Sequence, residues 1–187
     1  MMIKMIMAVD AENGIGKNGK LPWHIPSEFK YFVEYTHECL CIMGRKTFED
    51  IKGFKKATSG PLLPNRQCMV FSTEVRGLAR SNTYDNVIFN DNPYNVMNML
   101  SLSKRNDDKT KTPDICVIGG KSVYEMFSAF DDLVDEISVT YLEDSYDCDT
   151  FLDLDTLLHG FLPAKEWVDE KGQWKAIRYK RDKNESS

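Results

Sequence analysis

Glu28 stands five residues after Trp23, in the run Leu21-Pro22-Trp23-His24-Ile25-Pro26-Ser27-Glu28-Phe29-Lys30-Tyr31-Phe32. Pro26 and Ser27 suit the first turn of a helix, and Phe29, Phe32 and Val33 recur at helical spacing, so Phe29 and Phe32 are expected to face the core. Glu28 and Phe32, at i and i+4, share a face. A carboxylate on an apolar face has to be paired or to have its pKa raised, which suits it to charge stabilisation or proton work. The same Glu could instead sit wet at the helix start, favoured by the dipole, with Trp23 a plain core anchor.

Two further places suit anions. In Val117-Ile118-Gly119-Gly120-Lys121-Ser122 a pair of glycines separates an apolar run from a helical one. Backbone can approach a ligand closely there, and the free N–H groups of a helix start favour a phosphate, although a plain βα turn also uses glycine. Gly44-Arg45-Lys46-Thr47 repeats the arrangement with two cations and a hydroxyl. Cations at a helix N-terminus oppose the macrodipole unless an anion sits between them and the helix; a solvated basic pair is the alternative. Neither is G-x-G-x-x-G, so the ordinary dinucleotide fingerprint is absent. Arg66, directly before a strand-like run, could fork onto a ligand carboxylate or lie on the surface.

The elements that must hold these groups are strands and helices in alternation. Ile3 to Val9, Cys39 to Met43, Gln67 to Ser72, Val87 to Phe89, Ile115 to Ile118 and Glu136 to Leu142 read as short strands. Helical spacing follows at 26–33, 45–51, 94–102 and 122–130. The stretches 10–23, 52–66 and 103–113 read as loop or charged linker. Residues 167–168 and 174–179, flanking Glu170-Lys171-Gly172, suggest a closing hairpin. The expectation is a single α/β domain over 1–187, with a mostly parallel twisted sheet of about eight strands, helices on both faces and an antiparallel C-terminal hairpin. The tail after about residue 180 is expected to be peripheral.

Composition narrows the function. The chain has 187 residues, 42% hydrophobic and 11% aromatic, enough for a sizeable core. Lys+Arg 24 against Asp+Glu 29 gives a net charge of -5, against nucleic-acid or anionic-membrane binding by bulk charge. No apolar run approaches the ~20 residues of a membrane span, and the apolar start, Met5 to Val9, is broken by Asp10 without a small-residue cleavage pattern, so it is not expected to be a secretory signal. Five cysteines and three histidines show no zinc spacing, so no metal is expected and the thiols read as buried and reduced in a cytoplasmic protein.

Gly-Ile-Gly-Lys-Asn-Gly-Lys-Leu-Pro-Trp (14–23), the carboxylate five residues later, Ile-Met-Gly-Arg-Lys-Thr (42–47), Leu-Pro-Asn-Arg (63–66) and Val-Ile-Gly-Gly (117–120) together resemble dihydrofolate reductase. Each piece is weak singly; four in this order and spacing are specific. The resemblance implies NADPH as cofactor, dihydrofolate as substrate, and a cytoplasmic monomer serving one-carbon and thymidylate metabolism and a target of antifolates. Glu28 would hold the pterin 2-amino group and N3, Thr140 would link to Glu28, and Trp23 would hold a water beside it. Ile6, Met7, Ala8, Phe29, Phe32, Ile51, Leu63 and Ile118 would line the folate pocket, and Arg66 would fork onto the glutamyl α-carboxylate. Ala8, Ile15, Gly16 and Ile118 would face the nicotinamide and ribose. Gly44, Arg45, Lys46, Thr47, Gly119, Gly120, Lys121, Ser122, Val123 and Tyr124 would take the phosphates, across a cis Gly119–Gly120 bond. Ser72 and Thr73 would meet the adenosine 2′-phosphate. Residues 11–21 match a mobile loop closing over the nicotinamide, with Gly14, Gly16 and Gly19 as its hinge.

The chain departs from the family at two places. Thr73 is followed by Glu74 where a cation is usual, and Ser122 stands where a second cation is often found; Lys46, Lys121 or Arg76 could replace them. The 52–62 loop is long, and its Lys52, Lys55 and Lys56 could attract polyglutamylated tails or be freely solvated. A related pyrimidine reductase of riboflavin synthesis lacks the Trp23–Glu28–Phe32 arrangement. A binding module without turnover would have no reason to keep Glu28, Thr140, Trp23 and Arg66 together.

Overall fold

The computed structural model describes residues 1–54, 59–105, 112–130 and 132–182. In chain order the elements are β1 (Ile3–Val9), β2 (Gly14–Gly16), α1 (Pro26–Tyr35), β3 (Leu40–Gly44), α2 (Arg45–Phe54), β4 (Gln67–Phe71), α3 (Val75–Ser81) and β5 (Val87–Asn90). They continue with α4 (Pro93–Arg105), β6 (Ile115–Gly119), α5 (Lys121–Ser128), β7 (Glu136–Leu142), β8 (Thr150–Phe151), α6 (Leu154–Leu157), β9 (Phe161–Val168) and β10 (Trp174–Arg181).

One eight-stranded sheet runs β5-β4-β3-β6-β1-β7-β10-β9. Its first six strands are parallel, while β10 is antiparallel to both β7 and β9 and forms the C-terminal hairpin. Both faces of the inner strands are covered, which is why those strands are almost continuously apolar. Alternate side chains feed two cores. Ile6, Cys41, Met43, Cys116 and Ile118 pack with Tyr31, Tyr35, Phe48 and Leu78 under α1, α2 and α3. Met5, Met7, Val9, Ile42 and Val117 pack with Met97, Val123, Tyr124 and Phe127 under α4 and α5. Because β6 is inserted between β1 and β3, the strand order reverses there and a crevice opens at the carboxyl ends of these strands.

Several elements differ from the sequence reading. Helix α2 continues through Phe54 and α4 through Arg105, both inside stretches read as loop or linker. Lys55, Lys56, most of the charged linker and the final residues 183–187 lie outside the described residues. Strands β2 and β8, which pair antiparallel, and helices α3 and α6 were not legible, being too short to declare themselves without a tertiary partner. Phe29 is not a core residue: it is 56% exposed and stacks on Phe32 at 5.9 Å. The buried face of α1 is Glu28, Tyr31 and Tyr35, because both tyrosines find polar partners on β7. Cys39, Cys41, Cys68 and Cys116 are buried thiols in no disulfide, while Cys148 is only half-buried. No described helix is long and apolar enough to cross a membrane.

Candidate active site

Helix α1 and strand β7 face each other through a ladder of polar residues. The inward positions of α1 are Tyr35, Tyr31 and Glu28; those of β7 are Glu136, Ser138 and Thr140, all three buried. The Tyr35 hydroxyl donates to Glu136 Oε1 at 2.8 Å, and the hydroxyls of Tyr31 and Ser138 bond at 2.8 Å. The third rung is open. Thr140 Oγ1 and Trp23 Nε1 are buried without a hydrogen-bond partner, so the expected Thr140–Glu28 link is not made in the free protein. Glu28 is 8% exposed, and among the described residues its carboxylate has neither ion pair nor hydrogen bond. Burial alone pushes its pKa up from 4.5 to about 7. Buried polar groups are nearly always paired, so a carboxylate and a hydroxyl left open on facing elements, with a buried indole N–H also unpartnered, mark a place suited to a polar ligand.

The walls of this spot come from the α1–α2 side of the sheet. Ile6, Leu63 and Ile118 belong to that core, and Ala8, Phe32 and Ile51 pack on it partly buried. Register pairs Ile6 with Ser138 and Ala8 with Thr140 across β1 and β7. Met7 turns to the opposite core, as alternation along β1 requires, so only its backbone is available to this cleft. Ile15 likewise packs on the opposite core. Phe29 stands at the exposed edge beside Phe32.

Arg66 is 7% exposed, yet its charge has no acidic partner among the described residues. Its Nε donates to Thr36 Oγ1 at 2.9 Å, and its two terminal nitrogens donate to the carbonyls of Pro64 and Val33. A guanidinium has five N–H donors, so two remain for a ligand. Asn86, also buried, holds the segment carrying Arg66: its amide donates to the carbonyls of Leu63 and Arg66, and its Oδ1 accepts from Leu62 N at 2.7 Å.

At the crevice, β3 and β6 lie side by side and each runs straight into a helix. A Cβ on Gly44 would come within 3.2 Å of Val123, and one on Gly119, whose φ is +117°, within 3.0 Å of Tyr124 Oη and 3.5 Å of Thr47 Oγ1. At Gly119 the positive φ and the close approach call for glycine, at Gly44 a Cβ would require Val123 to give way, and the Gly119–Gly120 bond is cis. Arg45, Lys46, Lys121 and Ser122 are exposed around this cradle. Val123 and Tyr124 have a different part: their N–H groups donate to Gly120 O, and their side chains are buried, Tyr124 Oη donating to Ile6 O at 2.7 Å. They form the floor and are not free to donate to a phosphate. At the end of β4, Ser72 Oγ accepts from Glu74 N at 3.1 Å and Thr73 is exposed.

The loop over the cleft is anchored by Asp10, a buried residue the sequence reading passed over. Its carboxylate accepts from the N–H groups of Glu12 (2.9 Å), Gly14 (2.7 Å) and Tyr146 (3.0 Å). Burial alone would raise its pKa, but these bonds outweigh that and hold the carboxyl below its ordinary range. Asp149 adds a second tie, its N–H donating to Gly16 O at 3.0 Å and its Oδ2 accepting from Asn18 N at 2.7 Å. Trp23 packs on Tyr146 of the same loop at 5.3 Å. Of the three proposed hinge glycines only Gly19 has a positive φ. Gly14 is required for space: a Cβ there would meet Cys148 Cβ at 2.4 Å and Asp10 Oδ1 at 2.9 Å. Gly14→Ala is therefore expected to cost about 1–3 kcal/mol of stability, as overpacking does. Adding Cys148→Gly, which removes the first clashing atom, should recover part of it. Denaturant midpoints of the single and double variants measure this, and strictly additive losses would contradict the close approach.

Asp10, Thr36 and Asn86 were missed because their partners are backbone groups and one arginine brought together by the fold. The one signal available was Asp10 ending an apolar run.

A family model described as dihydrofolate reductase matches residues 2–171. The dihydrofolate reductase of Ureaplasma parvum serovar 3 is 32% identical over 154 residues, 82% of this chain and 83% of that protein. Dihydrofolate reductase type 9 of Escherichia coli is 36% identical over 152 residues, 81% of this chain and 76% of that one. The solved structure of Enterococcus faecalis dihydrofolate reductase complexed with NADP(H) and RAB-propyl matches with a TM-score of 0.66 at 27% identity, covering 97% of this chain and 96% of that chain. With its glycine cradle, its buried carboxylate and a family match over nearly its whole length, this chain belongs to the dihydrofolate reductase family.

Proposed function

We propose that the protein reduces 7,8-dihydrofolate to 5,6,7,8-tetrahydrofolate with NADPH, and so serves one-carbon and thymidylate metabolism. The observation that carries this reading is the open rung: Glu28 on α1 and Thr140 on the facing β7 each hold a polar group without a partner, and so does Trp23. A pterin edge offers the donors that Glu28 lacks. Ionised Glu28 accepts from the 2-amino group and N3, Thr140 Oγ1 donates to the carboxylate, and Trp23 Nε1 holds a water beside it. Desolvation of Glu28 then becomes useful, because a buried anion favours a proton on the heterocycle where water is scarce, without touching N5 itself. Arg66 uses its two remaining donors on the glutamyl α-carboxylate, and Ile6, Ala8, Phe32, Ile51, Leu63 and Ile118 exclude water from the ring system.

The crevice suits the dinucleotide. Side chains at Gly44 and Gly119 would fill the cradle, and the exposed cations and first-turn N–H groups of α2 and α5 surround it. Arg45, Lys46, Thr47, Gly119, Gly120, Lys121 and Ser122 would hold the phosphates, with Ala8, Gly16 and Ile118 nearer the nicotinamide. When bound, the cofactor supplies a hydride to the pterin. The test is direct: loss of NADPH absorbance on adding dihydrofolate to the purified protein is expected, and no loss at micromolar protein would overturn the reading in favour of a binding module.

A further inference from the structure

The first residue of α2, Arg45, reaches across to the residue that opens α3. Arg45 Nη1 lies 2.6 Å from Glu74 Oε2. The pairing is not imposed by chain proximity; it follows from β3 and β4 being adjacent and in register, Gly44 beside Phe71, so that the two strand-to-helix junctions sit next to each other. Glu74 occupies the N-cap of α3 yet makes no capping hydrogen bond with its side chain. Turned away from its own helix, it serves the cation instead. Arg45 in turn is misplaced at the positive end of α2, whose first turn contains no acid, and the glutamate offsets that misplacement.

This pair lies one strand outward from the Gly119–Gly120 cradle, since the sheet runs β4-β3-β6. If a dinucleotide's diphosphate occupied the cradle, this junction would be the next strand-to-helix turn outward that its adenosine ribose could meet. Two cofactors differ only there: one carries a 2′-phosphate, the other a 2′-hydroxyl. An arginine suits the phosphate, and an acid accepts a hydrogen bond from the hydroxyl. Here both sit at one place and hold each other.

We propose that Glu74 is a specificity-determining residue that competes with the 2′-phosphate for Arg45, so that the protein discriminates between NADPH and NADH less than its cations alone would make it do. The proposal rests on the reading of Arg45 as a phosphate-holding residue and narrows it to the 2′-phosphate, beside Ser72 and Thr73; weakening of both cofactors alike in Arg45→Ala would return Arg45 to the diphosphate and overturn the proposal. To bind NADPH, the phosphate must displace the carboxylate and then remain beside it. To bind NADH, nothing is displaced, and Glu74 gains a hydroxyl partner. Both side chains are about half exposed, 46% for Arg45 and 64% for Glu74, so the competition is screened by salt and modest in size.

The experiment measures Kd for NADPH and NADH by tryptophan fluorescence quenching, without turnover, for wild type, Glu74→Gln and Arg45→Ala at low and high salt. Glu74→Gln should tighten NADPH about fivefold at low salt and less at high salt, while leaving NADH unchanged or slightly weaker. Arg45→Ala should weaken NADPH and spare NADH. An unchanged NADPH/NADH ratio in Glu74→Gln, with Arg45→Ala still weakening NADPH, overturns the competition and leaves the phosphate reading standing. Weaker NADPH binding in Glu74→Gln also overturns it, because Glu74 would then be orienting Arg45. If Arg45→Ala changes neither affinity, the phosphate reading of Arg45 fails and the proposal fails with it.

Discussion

Glu28→Gln is expected to lower dihydrofolate turnover at neutral pH by about three powers of ten, the scale of lost proton and charge stabilisation in a dry site. NADPH affinity should be nearly unchanged, since the carboxylate lies on the α1–β7 side and not at the glycine cradle. Activity should recover partly in acid, where substrate arrives already protonated. The same substitution is expected to stabilise the free protein. The folded pKa of Glu28 is about 7 against an ordinary 4.5, so between those values the folded state binds more protons than the unfolded one. The contribution of Glu28 to stability is then greatest below its unfolded pKa and falls as pH rises through its folded one, by about 3 kcal/mol in all for a shift of this size. Glutamine carries no charge to desolvate and escapes that loss. Denaturant unfolding of both proteins at acidic and mildly alkaline pH measures it: the wild type should lose stability relative to the variant as pH rises. Parallel profiles, or equal turnover at neutral pH, would remove Glu28 from the role assigned to it. A buried acid that weakens the fold while serving the reaction is the usual trade of stability for function.

Arg66→Ala should weaken dihydrofolate binding by about 2–4 kcal/mol, the loss on truncating one partner of a desolvated charge pair. The free protein should also become less stable, because Thr36 Oγ1 and the carbonyls of Val33 and Pro64 lose their donor. The two effects are separable. A folate analogue without the glutamyl tail should bind wild type and variant alike if the pocket survives, whereas equal loss for both ligands would mean that the pocket had collapsed. Arg66→Lys should fail nearly as badly, since a single ammonium cannot brace three protein acceptors and also fork onto a carboxylate. An unchanged Kd for dihydrofolate in Arg66→Ala would place the tail elsewhere.

The inner strands were readable because a strand buried on both faces has to be largely apolar: β3 and β6 are so throughout, β1 and β4 carry one polar residue each, and β7 keeps apolar residues around Glu136, Ser138 and Thr140. The glycine junctions were readable for a related reason: the positive φ and close approach at Gly119 call for glycine, and a side chain at Gly44 would crowd Val123. Helix α1 was recognised, but its inward face was misjudged. Aromatic spacing pointed Phe29 to the core, whereas hydroxyl partners on β7 selected Tyr31 and Tyr35. Nothing within a ten-residue window records which polar groups will stand opposite. The short elements β2, β8, α3 and α6 escaped for the same reason, each being stabilised by neighbours distant in sequence.

What residue order determined alone is the α/β alternation, the two glycine-bearing strand-to-helix junctions and the presence of a carboxylate among aromatic residues, because these depend on local spacing and backbone freedom. What only the tertiary structure decided is which charges are answered. Arg45 is paired with Glu74, Arg66 is braced by Thr36 and two carbonyls, Asp10 is held by backbone N–H groups, and Glu28, Thr140 and Trp23 are left open. The physical reason is that a charge's energy is set by its burial and by partners a few ångströms away, and in this fold those partners come from strands and loops far along the chain.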